Sequence, residues 1–295
     1  MLSRFAYLTV IAVIASAAYA PDAPAADFVR SGGPYVPTPQ EVVDKMLEVA
    51  AVTAKDFVMD LGSGDGRIVL TAAARYQTRG RGIEIDPDLV DLSSSEARRR
   101  GLEKLAQFRS EDALKTRIDE ATVLTLYLLP ELMNGLRDRI YKELKPGARV
   151  VSHDFRFNDW IPDRSVTMDI EEKYGSAGTW QSTIYLWIVP AKVAGRWSAT
   201  THEPDARRYV FSFSQAFQHV AGEAQAGAAR IPIRDAHLDG SRIRFVLPGV
   251  TRGEARRFSG TIANDSITGV IESPEGSVPW SATRIGPAVS MRYSR

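Results

Sequence analysis

The sequence predicts an α/β domain followed by a small all-β domain, and three observations carry that reading. First, the apolar run Phe57-Val58-Met59-Asp60-Leu61 enters Gly62-Ser63-Gly64-Asp65-Gly66, after which Ile68, Val69, Ala72 and Ala73 recur at helical spacing. Second, helical periods and short apolar runs alternate from Phe28 to about Lys192, the texture of strands joined by helices. Third, from Gly195 onward the chain breaks into short strand-like pieces punctuated by glycine, proline and Asn-Asp. Charge shifts with texture: residues 1–194 carry 24 basic and 27 acidic groups, whereas residues 195–295 carry 13 and 9, the 13 all arginine. The expected divisions are a leader at 1–26, the α/β domain at 27–192 and the β domain at 193–295.

Composition narrows the function classes. With 295 residues, 44% hydrophobic and 25% charged, the chain is ordinary for a globular protein, which excludes a disordered tail, a collagen-like rod and a multispanning membrane protein. Its 37 basic and 36 acidic groups leave a net charge of +1, so no global field draws it to nucleic acid, and none is expected as a partner. Without cysteine there is no disulfide framework, thiolate zinc site or cysteine nucleophile. The histidines His153, His202, His219 and His237 lack the close spacing of a metal site, and no metal is expected.

Residues Met1 to Ala20 read as a targeting segment. Arg4 is their only charge, Phe5 to Ala18 is an apolar run, and Ala17, Ala20 and Ala25 offer exits, with Pro21 disfavouring the second. The run is short for a full span, which needs roughly 20 residues. A cleaved signal, a retained anchor over residues 2–20 and a buried N-terminal helix are the alternatives. The first two place the protein outside the cytosol, periplasmic or secreted, or hold it at a membrane.

Thr38-Pro39-Gln40-Glu41 opens the first helix, with Thr38 and Glu41 spaced as a capping box and Val42, Met46, Leu47 and Ala50 on one face. Tyr35 and Thr38 are also placed to serve as a flap over a ligand. The glycine turn after Leu61 lets a ligand approach the backbone, and the helix behind it offers amides to an anion. Arg81-Gly82-Ile83-Glu84-Ile85-Asp86 reads as a second strand ending in acid, where a carboxylate can accept both hydroxyls of a ribose. Arg67 stands where a dinucleotide fingerprint has its third glycine, which argues against a pyrophosphate. The ligand that fits has a carboxylate, an ammonium and a ribose, as S-adenosylmethionine does. Asp60 would face the ammonium, the amides of Gly64 to Gly66 the carboxylate, and Glu84 the ribose. Asp112, after the short run Ala106–Arg109, would accept from the adenine amino group or cap a helix.

These blocks resemble a known family. Tyr35-Val36-Pro37, Asp60 to Val69, Gly82 to Pro87, Leu128-Leu129-Pro130-Glu131-Leu132 and Gly147 to Phe155 are similar to the mitochondrial lysine methyltransferases that act on the ATP synthase c-subunit and the adenine nucleotide carrier. More distantly they resemble the Dot-type histone lysine methyltransferases. The resemblance covers about Ser31 to Val189. It implies a Rossmann-like, seven-stranded class I methyltransferase domain, S-adenosylmethionine as cofactor, and a protein lysine as acceptor, on a membrane protein in those relatives. It also implies cofactor contacts at Tyr35, Thr38, Asp60, Gly62, Gly64, Glu84 and Asp112, to which the neighbouring Ser63, Asp65, Gly66, Ile85 and Ala113 are added. The mitochondrial relatives carry an apolar N-terminal segment too, which favours a retained anchor.

On the acceptor side, Ala121 to Pro130 reads as the fourth strand, delivering Tyr127 to the strand-end cleft. The Asp/Asn-Pro-Pro-Tyr motif of enzymes that methylate planar amino groups is absent, as are the paired asparagines of the Dot-type relatives. Tyr127, Asp154 and Phe155 are the expected catalytic-side residues, with Asp154 orienting the acceptor ammonium. Phe155, Phe157 and Trp160 either wall a lysine channel or pack in the core. His153 reads as a packed or surface histidine rather than a base, and Arg98-Arg99-Arg100 as the solvated end of a helix. Beyond residue 195, strands are expected at Tyr209–Ser214, Phe217–Ala221, Arg242–Leu247, Phe258–Ile262, Ile267–Ile271 and Val278–Thr283, with a turn at Asn264-Asp265. Trp-Ser-Ala-Thr occurs at 197–200 and again at 280–283, which suggests two matching strands of one closed sheet. Either a substrate-docking module or a structural appendage fits this region.

Overall fold

Strands buried on both faces read as continuous apolar runs, and β1 (Phe57–Leu61), β4 (Val123–Leu126) and β5 (Arg149–His153) have that character. In the computed structural model, which describes residues 35–173, 176–202, 207–249, 255–273 and 276–287, they form the centre of a seven-stranded sheet. With β2 (Arg79–Glu84), β3 (Ala106–Ser110), β6 (Arg164–Lys173) and β7 (Ser176–Ile188), the order is β3-β2-β1-β4-β5-β7-β6. The first five strands are parallel, and β7 runs antiparallel to both of its neighbours. This is the Rossmann-like sheet that the resemblance implied. Strand order reverses between β1 and β4, so a crevice opens beyond their carboxyl ends, where ligands bind in such sheets.

Helices cover both faces. On one side, α1 (Gln40–Val49) packs Val42, Val43, Met46 and Leu47 against Val58, Val123 and Val151, and α2 (Arg67–Tyr76) continues that layer to α3 (Pro87–Arg99). On the other side, Leu132, Met133, Leu136 and Ile140 of α4 (Pro130–Glu143) meet Met59, Leu124 and Val150. The capping box does not form. The first helical residue is Gln40, Pro39 precedes it without a side-chain cap, and the Pro39 carbonyl accepts from Val42 and Val43. Thr38 is turned inward instead, toward His153. Arg98 and Arg99 occupy the last turn of α3, where Arg99 and Arg100 pair with Glu96.

The C-terminal region is a closed antiparallel barrel. Its strands are β8 (Gly195–Thr201), β9 (Arg208–Ala216), β10 (His219–Ala226), β12 (Arg234–Asp239), β13 (Arg242–Leu247), β14 (Arg256–Ala263), β15 (Ser266–Ser273) and β16 (Gly276–Gly286). Pairing of β10 with both β9 and β12 closes the ring of eight, and the short β11 (Ala229–Pro232) adds to β10. The repeated tetrapeptides are antiparallel neighbours, with Thr283 opposite Ser198, Ala282 opposite Ala199 and Ser281 opposite Thr200. Inward-pointing Trp197, Phe211, Phe213, Phe245, Phe258 and Trp280 fill the interior, so the barrel is packed rather than hollow.

One expectation here is corrected. Phe217 and Gln218 form a turn, with Phe217 at φ +51°, and the strand expected from Phe217 begins at His219. That turn docks on the first region: the Phe217 ring stacks on Trp160 at 4.7 Å and 6°, and meets Tyr141 edge-on at 5.2 Å. Trp160 Nε1 donates to Gln218 Oε1 at 3.0 Å, and Gln218 Nε2 donates to the Ile161 carbonyl at 2.6 Å. Phe157 and Trp160 are accordingly core and seam aromatics, not channel walls. The leader expected at residues 1–26 lies outside the described residues. Among the described residues no helix is long and apolar enough to cross a membrane.

Candidate functional site

A cavity of about 250 Å³ lies beyond the carboxyl ends of β1, β2 and β4. Of the residues expected at the site, Tyr35, Thr38, Asp60, Gly62, Ser63, Gly64, Asp65, Glu84, Ile85, Tyr127 and Phe155 line it. They come together because the glycine turn folds sharply back over the ends of the strands. Gly64 takes φ +52°, and a Cβ there would sit 2.5 Å from the Tyr35 ring, so glycine is what lets the flap lie on the turn. Gly66, at φ +78°, does not line the cavity. It precedes the first turn of α2, its amide donates to the Ser63 carbonyl at 2.8 Å, and a Cβ would strike Phe108 and Ser93.

Two carboxylates dominate the floor. Asp60, only 2% exposed, accepts from Thr125 Oγ1 at 2.7 Å. Burial pushes its pKa up to about 7, and the nearby charges of Glu84 and Asp65 act in the same direction. A buried acid of this kind is primed for a cation that restores its charge. Glu84 is held by three backbone amides: Gly64 N at 2.8 Å on one oxygen, Ile85 N at 2.8 Å and Asp86 N at 3.1 Å on the other. Its orientation is therefore set, with lone pairs left over for hydroxyl donors.

That arrangement corrects one expectation. The amides of Gly64 and Gly66 were to meet an incoming carboxylate, but Gly64 N is committed to Glu84 and Gly66 N to Ser63. Arg67 is also engaged internally. Its Nε and Nη2 clasp Asp65 at 2.7–3.0 Å, and Nη1 donates to the Thr38 carbonyl at 2.8 Å, latching the flap to α2. Burial works against ionisation of Asp65, yet the Arg67 guanidinium outweighs it and holds the carboxyl below the usual range. Burial, with the Asp65 charge beside it, raises the Tyr35 phenol.

Asp112 and Ala113 line a second, smaller recess of about 30 Å³, which shares Gly62, Glu84, Ile85 and Leu128 with the main cavity. Asp112 caps a turn rather than a helix: Oδ1 accepts from Leu114 N at 2.9 Å, and Oδ2 lies 3.3 Å from Lys115 Nζ. The recess lies behind Glu84, and its lining mixes Ile83, Leu114 and Leu132 with the carboxylates of Glu84, Glu111 and Asp112.

One wall of the cavity is aromatic. Tyr127 follows β4, and its ring lies 6.1 Å from Phe155 at 20°, with Leu128 and Leu129 beside it. Asp154 departs from its expected role. Standing at φ +59°, it turns its carboxylate away from the cavity to Thr183 N at 2.9 Å and Lys173 Nζ at 2.7 Å. His153 is fully buried behind Tyr127. Eight cavity residues were missed as contacts: Val36, Pro37, Arg67, Ile68, Asp86, Leu89, Leu128 and Leu129. All lie within or beside the motifs already noted, but only the fold shows which of them face inward.

A family model described as the ANTKMT methyltransferase domain matches residues 60–164. A protein-lysine N-methyltransferase of Saccharolobus islandicus is 37% identical over 157 residues, covering 53% of this chain and 93% of that relative. The ATP synthase c-subunit lysine N-methyltransferase of Xenopus laevis is 34% identical over 130 residues, covering 44% of this chain and 57% of its own length. Among solved structures, an RNA methyltransferase from Salinibacter ruber in complex with S-adenosyl-L-homocysteine is 47% identical, covers 54% of this chain and 96% of its own, and has a TM-score of 0.48. None of these matches accounts for the whole of this chain.

Proposed function

The chain belongs to the protein-lysine N-methyltransferase family, and on that premise we propose that it methylates a lysine side chain of a protein at the cleft between Asp60 and Tyr127. S-adenosylmethionine is the cofactor of this enzyme family, and the residues present fit it. Buried Asp60 suits the ammonium, amide-fixed Glu84 the ribose hydroxyls, and Asp112, on the recess next to Glu84, an adenine amino group. The observation that carries the proposal is this pairing of two oriented carboxylates with an aromatic wall across one cavity.

When bound, the cofactor supplies an electrophilic methyl group on a sulfonium. Tyr127, Leu128, Leu129 and Phe155 give the acceptor amine an apolar collar. An ordinary lysine has a pKa of about 10.4, and an apolar collar lowers it by penalising the charged form. The amine loses its proton to solvent and enters neutral, with its lone pair free. Tyr127 and Phe155 would align that amine with the donated methyl group and exclude water from it, which is the enzyme's own contribution to the transfer.

The test is titration calorimetry of the full chain with S-adenosylmethionine, followed by transfer of labelled methyl to fractionated extracts. Glu84→Gln weakens binding about 10- to 100-fold, the scale of hydrogen bonds to a charged group. Label that is released by protease and yields methyl-lysine supports the acceptor class, whereas ribonuclease-sensitive label overturns it. The apolar segment 2–20 supports attachment to, or export across, a membrane. A topology reporter fused at residue 295 reads which side the site faces.

A further inference from the structure

His153 is fully buried beside the cleft but has no part in the chemistry above. Its ring lies 4.1 Å from that of Tyr127, tilted by 33°. Nδ1 is 3.4 Å from Thr38 Oγ1, and Nε2 is 2.9 Å from Ser182 Oγ and 3.3 Å from Asp154 Oδ2. One imidazole therefore touches two walls of the cavity, the acceptor side through Tyr127 and the flap through Thr38. Asp154 is held off the cavity by Thr183 and by Lys173, whose ammonium lies 2.7 Å from Oδ2. The left-handed backbone that makes this possible is one that aspartate tolerates better than most residues.

A carboxylate beside an imidazole ordinarily draws a proton onto the ring. Here burial opposes that most strongly, and the Lys173 ammonium opposes it as well by neutralising Asp154. Together they lower the His153 pKa to about 4. The groups that face the ring are Thr38 ahead of α1, Tyr127 after β4, Ser182 on β7 and Asp154 on its own segment, with Lys173 of β6 behind Asp154. Lys173 is the cation of that set.

We propose that His153 is a positioning residue that works only as a neutral ring: it backs Tyr127 and sets Thr38, and the Lys173–Asp154 pair keeps positive charge away from the methyl-transfer cleft. The inference rests on the reading of Tyr127 as the wall that faces the sulfonium and the acceptor. A charged imidazole against that wall would repel a cationic sulfonium and would raise the cost of bringing in a second cation. A residue that merely filled space would be indifferent to its own charge.

Lys173→Met leaves Asp154 without its cation, so His153 takes up a proton nearer neutral pH. The readout is the affinity for S-adenosylmethionine relative to S-adenosylhomocysteine, measured by calorimetry. The two ligands share the ammonium, ribose and adenine and differ in the charge at sulfur. Acidifying from about pH 8 to about pH 6 costs Lys173→Met about tenfold more of this preference than it costs the parent protein, the scale of one added charge. Adding His153→Gln to Lys173→Met restores the parental pH dependence. Lys173→Gln gives the same readout if the methionine variant folds poorly. Independently, the His153 ring of the parent protein, followed by NMR, stays neutral down to about pH 5. A ring that titrates at the ordinary value of about 6.5 overturns the proposal. So does a preference in Lys173→Met that tracks the parent, or one that persists in the double variant. Failure to find a lysine acceptor while these shifts occur counts against the acceptor class alone.

Discussion

The seven-stranded sheet and the barrel bury different things. At the carboxyl ends of the sheet, Asp60, Glu84, Ser152, His153, Lys173 and Ser182 are all buried, and Asp60 and His153 have pKa values pushed far from normal in opposite directions. Inside the barrel the large buried side chains are aromatic: Phe211 meets Phe258 and Trp280 edge-on, and Phe245 stacks on Phe258 at 4.8 Å. Burying ionisable groups is costly and burying rings is favourable. The first region gives up stability to hold charge in place for a ligand, while the second consists of packing. Substitutions in the two regions are therefore expected to have opposite signatures.

The largest effect should come from the barrel. Trp280 is buried, donates from Nε1 to the Ser259 carbonyl at 2.9 Å and touches three phenylalanines. Trp280→Ala should cost about 3–5 kcal/mol of stability, as large aromatic truncations in cores do. Affinity of the folded fraction for S-adenosylmethionine should be unchanged. Denaturant unfolding and calorimetry check both halves, and a loss of affinity without a loss of stability would break the contrast.

Asp60→Asn should do the reverse. Above about pH 7 the parent protein carries a buried, strained carboxylate that the amide does not have, so the ligand-free protein should gain about 1–3 kcal/mol. Cofactor affinity should fall about 10- to 100-fold for want of the ammonium's partner. Thermal unfolding with and without ligand measures both. The sign of the pH effect follows from linkage. Asp60 is raised in the folded state, so its contribution to stability declines as pH rises from its unfolded value near 4 to about 7. His153 is lowered, so its contribution is full above its unfolded value near 6.5 and is lost as pH falls toward about 4.

How much of this was readable in the sequence differs between the same two regions. Val58, Asp60, Gly62, Gly64 and Glu84 were found because parallel strands, positive-φ turns and strand-end acids each demand particular residue types at fixed spacing. The His153–Asp154–Lys173 chain was not found, since it joins β5 to β6 through contacts that no local pattern encodes. Misplacing Asp154 has the same origin: its side chain follows a left-handed backbone that the sequence does not announce. In the barrel, alternation revealed six strands, and the repeated Trp-Ser-Ala-Thr revealed a pairing. Strands β11 and β12 carry Pro232, Arg234, Asp235 and Asp239, too polar for alternation to stand out. Phe217 looked like the start of a strand because it is apolar, but its ring is committed to the seam with Trp160.

That seam supplies a smaller test. Gln218 is buried and makes both polar contacts between the turn and the Trp160–Ile161 segment. Gln218→Ala leaves the Trp160 indole without its acceptor and should cost about 1–3 kcal/mol. Equilibrium unfolding checks it, and no change would mean that Phe217 stacking and the close packing of Gly240 on Gly147 hold the two regions together without it.

The smallest effect belongs to solution pH and sharpens the contrast most directly. On the proposed pairing of Asp60 with the cofactor ammonium, binding requires Asp60 ionised and the ammonium protonated. The first condition sets in as pH rises through about 7. The second lapses as pH passes the α-amino range of about 7.7–8.0. Affinity should therefore peak between the two and fall about five- to tenfold from about pH 7.5 to about pH 6, as the ionised fraction of Asp60 drops. Asp60→Asn should abolish this acid limb and leave the alkaline one, because the ligand's own amine is untouched. Trp280→Ala should leave both limbs in place, since nothing in the barrel interior titrates against the ligand. Calorimetric titration across this range distinguishes the outcomes. An acid limb that survives in Asp60→Asn would move the ammonium's partner to another carboxylate, with Glu84 next in line, and the buried charge of Asp60 would then need another purpose.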